Sequence, residues 1–197
     1  MKFFVIHYTP LIDRKEMIIK EFNKENINNY EIIVKHDREN IDFEILNKYN
    51  NLKLSEISLF LKHVEVFKKE YDDIIIVLED DSILSNNFIN KINELISEAP
   101  ENWDVIFCSE SCNLHNQKID NKLLYENIYA RGTGMYILNK LVAKKLKYIY
   151  DNEETINYPI DHWFSYIYKK YELKYFWSEP TLIIQGSEIG MFSSSIR

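Results

Sequence analysis

Several residue types that mark special classes of protein are scarce in this chain. Its 197 residues include two cysteines, Cys108 and Cys112, which are too few for a disulfide framework and lack the partners of a zinc site. No apolar run approaches the roughly 20 residues that a membrane-spanning helix needs. These shortages exclude a disulfide-stapled scaffold and predict a protein with no membrane span.

Glycine is equally scarce, and its four copies fall in two pairs. Gly132 and Gly134 lie in RGTGMY, and Gly186 and Gly190 lie in QGSEIG. Such sparing use predicts places where the backbone turns tightly or approaches another group closely. Neither pair matches a dinucleotide fingerprint or a phosphate-binding P-loop.

Basic residues are outnumbered, with 24 Lys and Arg against 31 Asp and Glu and a formal net charge of −7. This balance argues against a nucleic-acid partner. It does not exclude a nucleotide substrate, because a divalent metal can neutralise both partners. The opening MKFFVIHYTP is too short, and turns polar too early, for a secretory signal, so we expect a cytoplasmic protein.

Strand and helix patterns alternate along the chain, with no internal repeat and no linker. Strand patterns are KFFVIHY, YEIIV, IIIVL, WDVIFC, LLYENIYA, GMYILN, YFW and TLII. Helix patterns cover 13–26, 55–70, a segment from Ser85 or Asn86 to before Pro100, 140–150 with Asn139 as cap, and a segment after Pro159. Residues 1–197 are therefore predicted to form one Rossmann-like α/β domain with a mixed, mostly parallel sheet.

The most informative stretch is IIIVLEDDSIL, at 74–84, where five apolar residues precede Glu79, Asp80 and Asp81. A continuous apolar run predicts a strand buried on both faces. Ligands of open α/β sheets bind outside the carboxyl ends of such strands. Clustered carboxylates at that position suit a hard cation, Mg²⁺ or Mn²⁺, that bridges to phosphate oxygens.

Plainer interpretations of the acidic cluster remain open, with one acid capping the next helix and the others solvated. A dehalogenase-type phosphotransferase needs a nucleophilic Asp two residues before a second Asp, and Glu79 occupies that first position. A two-metal nuclease also uses strand-end acids, but this acidic chain lacks the basic surface that nucleic acid requires.

Taken in order, the motifs resemble glycosyltransferase family 25, which includes lipooligosaccharide galactosyltransferases and collagen-modifying domains. The matching stretches are VIHYTPLIDRK, LSEISLFLKHVEVFKK, IIIVLEDDSIL, WDVIFCS, RGTGMYILNKLVAKKL, PIDHWF and EPTLIIQGSEIGMFSSSI. The resemblance spans nearly the whole chain. It implies a GT-A type fold, with a nucleotide-sugar half over about 1–108 and an acceptor half over about 109–197.

The resemblance also implies a metal-dependent, inverting glycosyltransferase that uses Mn²⁺ or Mg²⁺. The donor would be a nucleotide-sugar, most simply a UDP-sugar, and the acceptor a hydroxyl of a glycan or a protein. A degenerate binding or scaffold protein on the same fold is the alternative. A nucleotide-sugar phosphohydrolase is a third possibility.

Site residues follow from the resemblance by position. Asp81 and Glu79 are expected to bind the metal, and Glu79 and Asp80 to contact the donor. Arg14 is expected near the donor's base or phosphates, although it also fits an exposed arginine at a helix start. Gln185 stands where related enzymes supply a late metal or diphosphate ligand, commonly a histidine.

Inverting transfer needs a base for the acceptor hydroxyl, and Asp161 in YPIDHWF is the first candidate. Glu56 is the second, although first-turn acids are common in helices. His63 falls on the apolar face of its helix and is expected to be a packing residue. Burial is likewise the default expectation for Trp163 and Trp177.

Overall fold

The computed structural model describes residues 1–69, 73–110 and 113–194. Strands and helices alternate along the chain, as the sequence predicts. The strands are β1 Lys2–Ile6, β2 Tyr30–Ile33, β3 Ile75–Glu79, β4 Ser82–Leu84, β5 Val105–Phe107, β6 Leu124–Asn127, β7 Met135–Leu138, β8 Tyr175–Ser178 and β9 Ile183–Gln185. The helices are α1 Ile12–Lys24, α2 Phe43–Leu46, α3 Leu54–Phe67, α4 Phe88–Glu98, α5 Val142–Asn152 and α6 Ile160–Tyr171. Glu70, the predicted end of the second helix, and Cys112 lie outside the described residues.

A seven-stranded sheet with the order β2-β1-β3-β7-β5-β8-β6 forms the centre of the fold. Strands β1, β2, β3, β5 and β8 run in one direction, while β6 and β7 run in the opposite one. The predicted mixed, mostly parallel sheet is therefore confirmed. The short strands β4 and β9 pair separately as an antiparallel ribbon.

Strand β3 shows why its sequence is a continuous apolar run. Ile75 and Val77 belong to a hydrophobic cluster on one face of the sheet, which α3, α5 and α6 cover. Ile76 and Leu78 belong to a second cluster on the other face, which α1 and α4 cover. All four side chains are fully buried, as expected of a strand with helices on both faces. No helix of the described residues is long and apolar enough to cross a membrane.

Two predicted helix caps are wrong, and tertiary contacts explain both. Helix α4 begins after Asn87, because the backbone amide of Ser85 is still bonded to Leu182 beside the ribbon. Helix α5 begins at Val142, after Leu141, and the side chain of Asn139 turns instead to the Trp103 carbonyl, to which its amide donates. The four-residue helix α2, between β2 and α3, matches none of the predicted helix patterns.

The predicted packing residues are buried. Trp163 and Trp177 lie in the core, and His63 is fully buried on α3, with Nδ1 2.8 Å from the Tyr136 hydroxyl on β7. Burial lowers the pKa of His63 to about 3. This histidine is therefore neutral in the folded protein and joins α3 to the sheet.

The pKa of His63 predicts acid sensitivity. Unfolded His63 takes up a proton near pH 6.5 and the folded residue does not, so stability falls as pH drops below about 6.5. Between about pH 6.5 and about pH 5 the loss is about 2 kcal/mol. Urea unfolding at the two pH values should show this loss in wild type and a smaller loss in His63→Phe. The matched variant of exposed His162, His162→Phe, should keep the wild-type dependence, and an equal loss in all three proteins would contradict the assignment.

Candidate active site

The three acidic residues form the end of β3 and the turn that follows it. Glu79 is the last residue of β3 and pairs with Ile6 at the end of β1. Asp80 and Asp81 make the turn into β4, and the amide of Asp80 donates to the Ile6 carbonyl at 3.1 Å. The cluster therefore lies at the carboxyl ends of two central parallel strands, where α/β proteins bind ligands.

Asp80 points towards β1 and α1. Its Oδ2 lies 2.7 Å from Nδ1 of His7, and its Oδ1 accepts a hydrogen bond from Arg14 at 3.1 Å. Asp80 and both partners are almost completely buried. Asp80 thus ties the acidic turn to the segment that follows β1.

Arg14 is buried and is not an exposed helix-start residue. One of its terminal nitrogens lies 3.1 Å from Asp80 and 3.6 Å from Asp81. The other donates to the carbonyl of Ser193, and the guanidinium lies 5.2 Å from the Phe192 ring centroid. Arg14 therefore compensates two of the three acids and holds the C-terminal segment against them.

Asp81 is fixed by the β4–β9 ribbon and the loop after it. Its carbonyl accepts the amide of Gly186 at 2.8 Å, and its Oδ2 accepts the amide of Ser187 at 3.2 Å. Gln185 pairs with Ser82 in the ribbon register, so its side chain reaches Oδ1 of Asp81 at 3.5 Å. Asp81 forms the floor of the site and is almost fully buried.

Glu79 is the acid that no cation compensates among the described residues. The Thr133 hydroxyl donates to its Oε1 at 2.8 Å, and Gln185 approaches its Oε2 at 3.4 Å. Burial first, and then the charges of Asp81, Asp80 and Asp161, together raise the pKa of Glu79 to about 8 against the opposing hydrogen bond from Thr133. An acid in this state favours either a proton or a bound cation.

Gly134 explains why glycine is needed beside this cluster. A Cβ atom at that position would lie 2.6 Å from Cδ of Gln185. The absence of a side chain therefore lets the Gln185 amide lie between Glu79 and Asp81.

Two adjoining hollows make up the cleft above the acids. The first is lined by Tyr8, Arg14, Arg38, Ser55, Ser58, Lys62, Glu79 and Asp80, with Ile6 and Leu59. The second, of about 230 Å³, is lined by Glu56, Glu79, Thr133, Asp161 and Gln185, with Leu59, Gly132, Gly134, Pro159 and Ile160. Glu79 and Leu59 line both hollows, so the predicted site residues are brought to one cleft or, for Asp81, to its floor.

Both candidate bases start helices beside this cleft. Glu56, in the first turn of α3, accepts the backbone amide of Lys53 at 2.7 Å and so also caps the helix. Asp161, in the first turn of α6, accepts the amide of His162 at 2.8 Å. Which of the two acts as a base stays a prediction.

Several residues that line the cleft are not identified from the sequence, among them Tyr8, Arg38, Lys62 and Thr133. Arg38 lies over the Tyr8 ring, 4.6 Å from its centroid, and forms a flat wall of the first hollow. Lys62 is buried beneath it and donates to Asp37 at 2.7 Å, to Val34 and to Lys35. The signal for Lys62 is a charge on the apolar face of α3, and the signal for Thr133 is its position between two glycines.

The oxygen atoms available to a cation are those of the Glu79 and Asp81 carboxylates, because Gln185 turns its amide nitrogen towards both. Within the described ranges no group of three or more His, Cys, Asp or Glu side chains is arranged to hold a metal ion. Two carboxylates still fit the mode in which Mg²⁺ uses one or two carboxylates and takes its remaining ligands from substrate phosphates and water.

The raised pKa of Glu79 predicts a pH dependence of stability. Folded Glu79 keeps its proton to about pH 8, whereas the unfolded carboxyl loses it near its ordinary pKa of 4.5. The metal-free protein should therefore lose stability through this residue as pH rises between those values. Melting temperatures between about pH 5 and about pH 8, measured in a chelator, should fall less steeply in Glu79→Gln than in wild type. Exposed Glu16→Gln is the matched control and should follow wild type, and an unchanged slope in Glu79→Gln would contradict the assignment.

The fold and the cleft define a class of protein. The chain is similar to a glycosyltransferase involved in the glycosylation of the major capsid of PBCV-1, with a TM-score of 0.54 and 14% identity over 93% of this chain and 92% of that one. At this identity the likeness concerns the fold, which is of the GT-A glycosyltransferase type. Residues 1–164 match the sequence model of glycosyltransferase family 25, described as LPS biosynthesis protein. The chain belongs to this family and is a glycosyltransferase.

Two further solved structures have lower TM-scores. A197 from STIV has a TM-score of 0.43 and 15% identity, over 90% of this chain and 81% of that one. A putative glucose-1-phosphate thymidylyltransferase from Bacillus anthracis has a TM-score of 0.44 and 13% identity, over 90% and 86%. No curated protein matches the chain.

Proposed function

We propose that this glycosyltransferase is metal-dependent and inverting, and that it transfers a sugar from a UDP-sugar to a hydroxyl of a glycan. The observation that carries the proposal is the pair of acids at the carboxyl end of β3, the half-buried Glu79 and the buried Asp81. Arg14 alone balances part of the charge of the three adjacent carboxylates. The site is therefore suited to bind a divalent cation together with a diphosphate.

Glu79 and Asp81 would hold the Mn²⁺ or Mg²⁺ ion, and the Gln185 amide nitrogen would keep the two carboxylates in place. When bound, such an ion neutralises the charge that develops on a departing diphosphate. Thr133 keeps Glu79 in place through its 2.8 Å hydrogen bond, and Ser187 does the same for Asp81 through its backbone amide.

The first hollow is our proposed site for the nucleotide. Its Tyr8–Arg38 wall offers a flat face to a base, and Ser55 and Ser58 also line the hollow. Arg14 and Asp80 close it at the acidic turn, where the donor's phosphates would lie near the guanidinium. Lys62 acts indirectly, because its ammonium is fully engaged in holding the loop that carries Arg38.

The second hollow is our proposed site for the transferred sugar and the acceptor hydroxyl. Asp161 lines this hollow together with Glu79, and its charge contributes to the raised pKa of Glu79. We assign it the removal of the proton from the attacking hydroxyl. Glu56 is the second candidate, since part of its carboxylate is used in capping α3.

Thermal shift measurements test the donor site. A ligand that binds only the folded state raises the melting temperature by mass action. We expect UDP or one UDP-sugar to raise it in the presence of Mn²⁺ and to have a smaller effect in a chelator. Asp81→Asn should remove the Mn²⁺-dependent part, and Asp120→Asn, at an exposed acid outside the cleft, should keep it. No shift with any nucleotide-sugar would favour the degenerate binding protein.

Measurement of turnover tests the assignment of Asp161 as the base. We expect Asp161→Asn to lower kcat for UDP release by about 10²–10⁴-fold, the usual contribution of a general base, while the UDP-induced thermal shift is retained. Glu56→Gln is the matched comparison and should lower kcat much less. The reverse order of the two variants would transfer the role to Glu56.

A further inference from the structure

A shallow groove of aromatic and polar side chains lies beside the cleft. We call it the tyrosine groove. Its volume is about 730 Å³, and its lining includes Tyr129, Tyr158, His162, Ser165, Tyr166 and Lys169. The three tyrosines are 53%, 43% and 40% exposed, in chain order, so their rings are not part of the core.

The groove and the cleft are joined by two separate segments of the chain. Tyr158 lines the groove, and the next residues, Pro159 to Asp161, line the cleft. On the other side Tyr129 lines the groove, and Gly132 to Gly134 line the cleft. Neighbouring residues of the chain therefore line the cleft and the groove at both segments.

The exposed rings sit on a backbone that is held in place. The carbonyl of Tyr129 accepts a hydrogen bond from the indole of Trp177 at 2.7 Å. The amide of Ala130 donates to the Ser165 hydroxyl at 3.0 Å, which fixes the same loop to α6. The rings of Tyr158 and Tyr166 lie together, with centroids 5.4 Å apart. Exposed aromatic rings on a fixed backbone make a prearranged binding surface, because little ordering is needed on association.

The chemistry of the groove suits an oligosaccharide. A sugar ring presents a face of C–H groups that packs against an aromatic ring, and Tyr combines such a face with a polar hydroxyl. His162 and Lys169 add exposed polar groups for the sugar hydroxyls. A peptide would more commonly add a strand to a sheet edge or place a helix in an apolar groove. The tyrosine groove is instead formed by α6 and by the loops that carry Tyr129 and Tyr158, and its lining is partly polar.

We propose that the tyrosine groove binds the acceptor oligosaccharide beyond the terminal sugar, which enters the cleft beside Asp161. This inference rests on the proposed transfer to a glycan and adds the acceptor's size: at least one sugar unit beyond the one that receives the new bond. Tyr158 and Tyr166 are assigned to stack on those outer units.

The test is binding of the full chain to an array of defined oligosaccharides, followed by titration of the strongest binder and of its terminal monosaccharide. We expect the oligosaccharide to bind at least tenfold more tightly than the monosaccharide. Tyr158→Ala/Tyr166→Ala should weaken oligosaccharide binding at least tenfold, and Tyr166→Phe, which keeps the ring, should weaken it far less. Tyr148→Ala, at an exposed tyrosine of α5, is the matched control and should bind like wild type. Lys169→Glu is an independent groove variant that should also weaken binding.

Three outcomes would overturn the proposal. They are no binding to any oligosaccharide, equal binding by wild type and the double variant, and binding to a peptide array that the double variant loses. The last would assign the groove to a protein acceptor. The UDP-sugar thermal shift of the wild-type chain tests the donor cleft separately. Failure of the proposed donor site would remove the thermal shift, whereas failure of the proposed groove would show in the oligosaccharide binding. The two failures can therefore be told apart.

Discussion

The placement of three consecutive carboxylates, two of them almost fully buried, beside a single guanidinium is the constraint on which the rest of the site depends. Buried charges need partners, because the loss of hydration is otherwise too costly. Asp80 obtains them from Arg14 and His7, and Asp81 from Arg14 and the Ser187 amide. Because the partners come from the segment after β1, from α1 and from the C-terminal segment, parts of the chain distant in sequence converge on the turn. Glu79 is left with a hydroxyl and an amide, and its raised pKa is the consequence.

The topology of the sheet determines which groups can reach that turn. Strand β7 lies antiparallel beside β3, so the segment entering β7 passes the end of β3 where Glu79 lies. That segment carries Thr133 and Gly134, and it begins at the loop that holds Tyr129. The β4–β9 ribbon then brings Gln185 to the same place from the C-terminal side. A parallel strand in the position of β7 would present its other end to the acids, and Thr133 would be lost to the site.

The sequence predicts those strands and helices whose apolar residues follow a regular pattern, and it also predicts the acidic cluster after β3. Both are visible in the sequence because they are local patterns. The run IIIVL requires burial on both faces, and the two hydrophobic clusters on either side of β3 confirm it. Other features depend on contacts distant in sequence. Arg14 fits an exposed helix start as well as a buried clamp until the Ser193 carbonyl and Asp80 are placed around it. The start of α5 is predicted wrongly for the same reason, because Trp103, the partner of the Asn139 side chain, is 36 residues away in the chain. The Tyr8–Arg38 wall has no local signature, because two separate loops make it.

Under the proposed function, the charge of the turn makes the binding of the cation and the binding of the diphosphate depend on each other. Three ionised carboxylates and one guanidinium leave two negative charges, one of which a proton on Glu79 removes below about pH 8. A diphosphate alone would add negative charge to a site that is already negative, and Arg14 already uses part of its donors on Asp80 and Ser193. A divalent cation alone would balance the acids, but Glu79 and Asp81 would be its protein ligands and water would have to supply the rest. Each partner supplies what the other lacks, because the phosphates complete the ligands of the cation and the cation offsets the charge of the phosphates. The two should therefore bind with strong positive coupling, each tightening the other by the same factor.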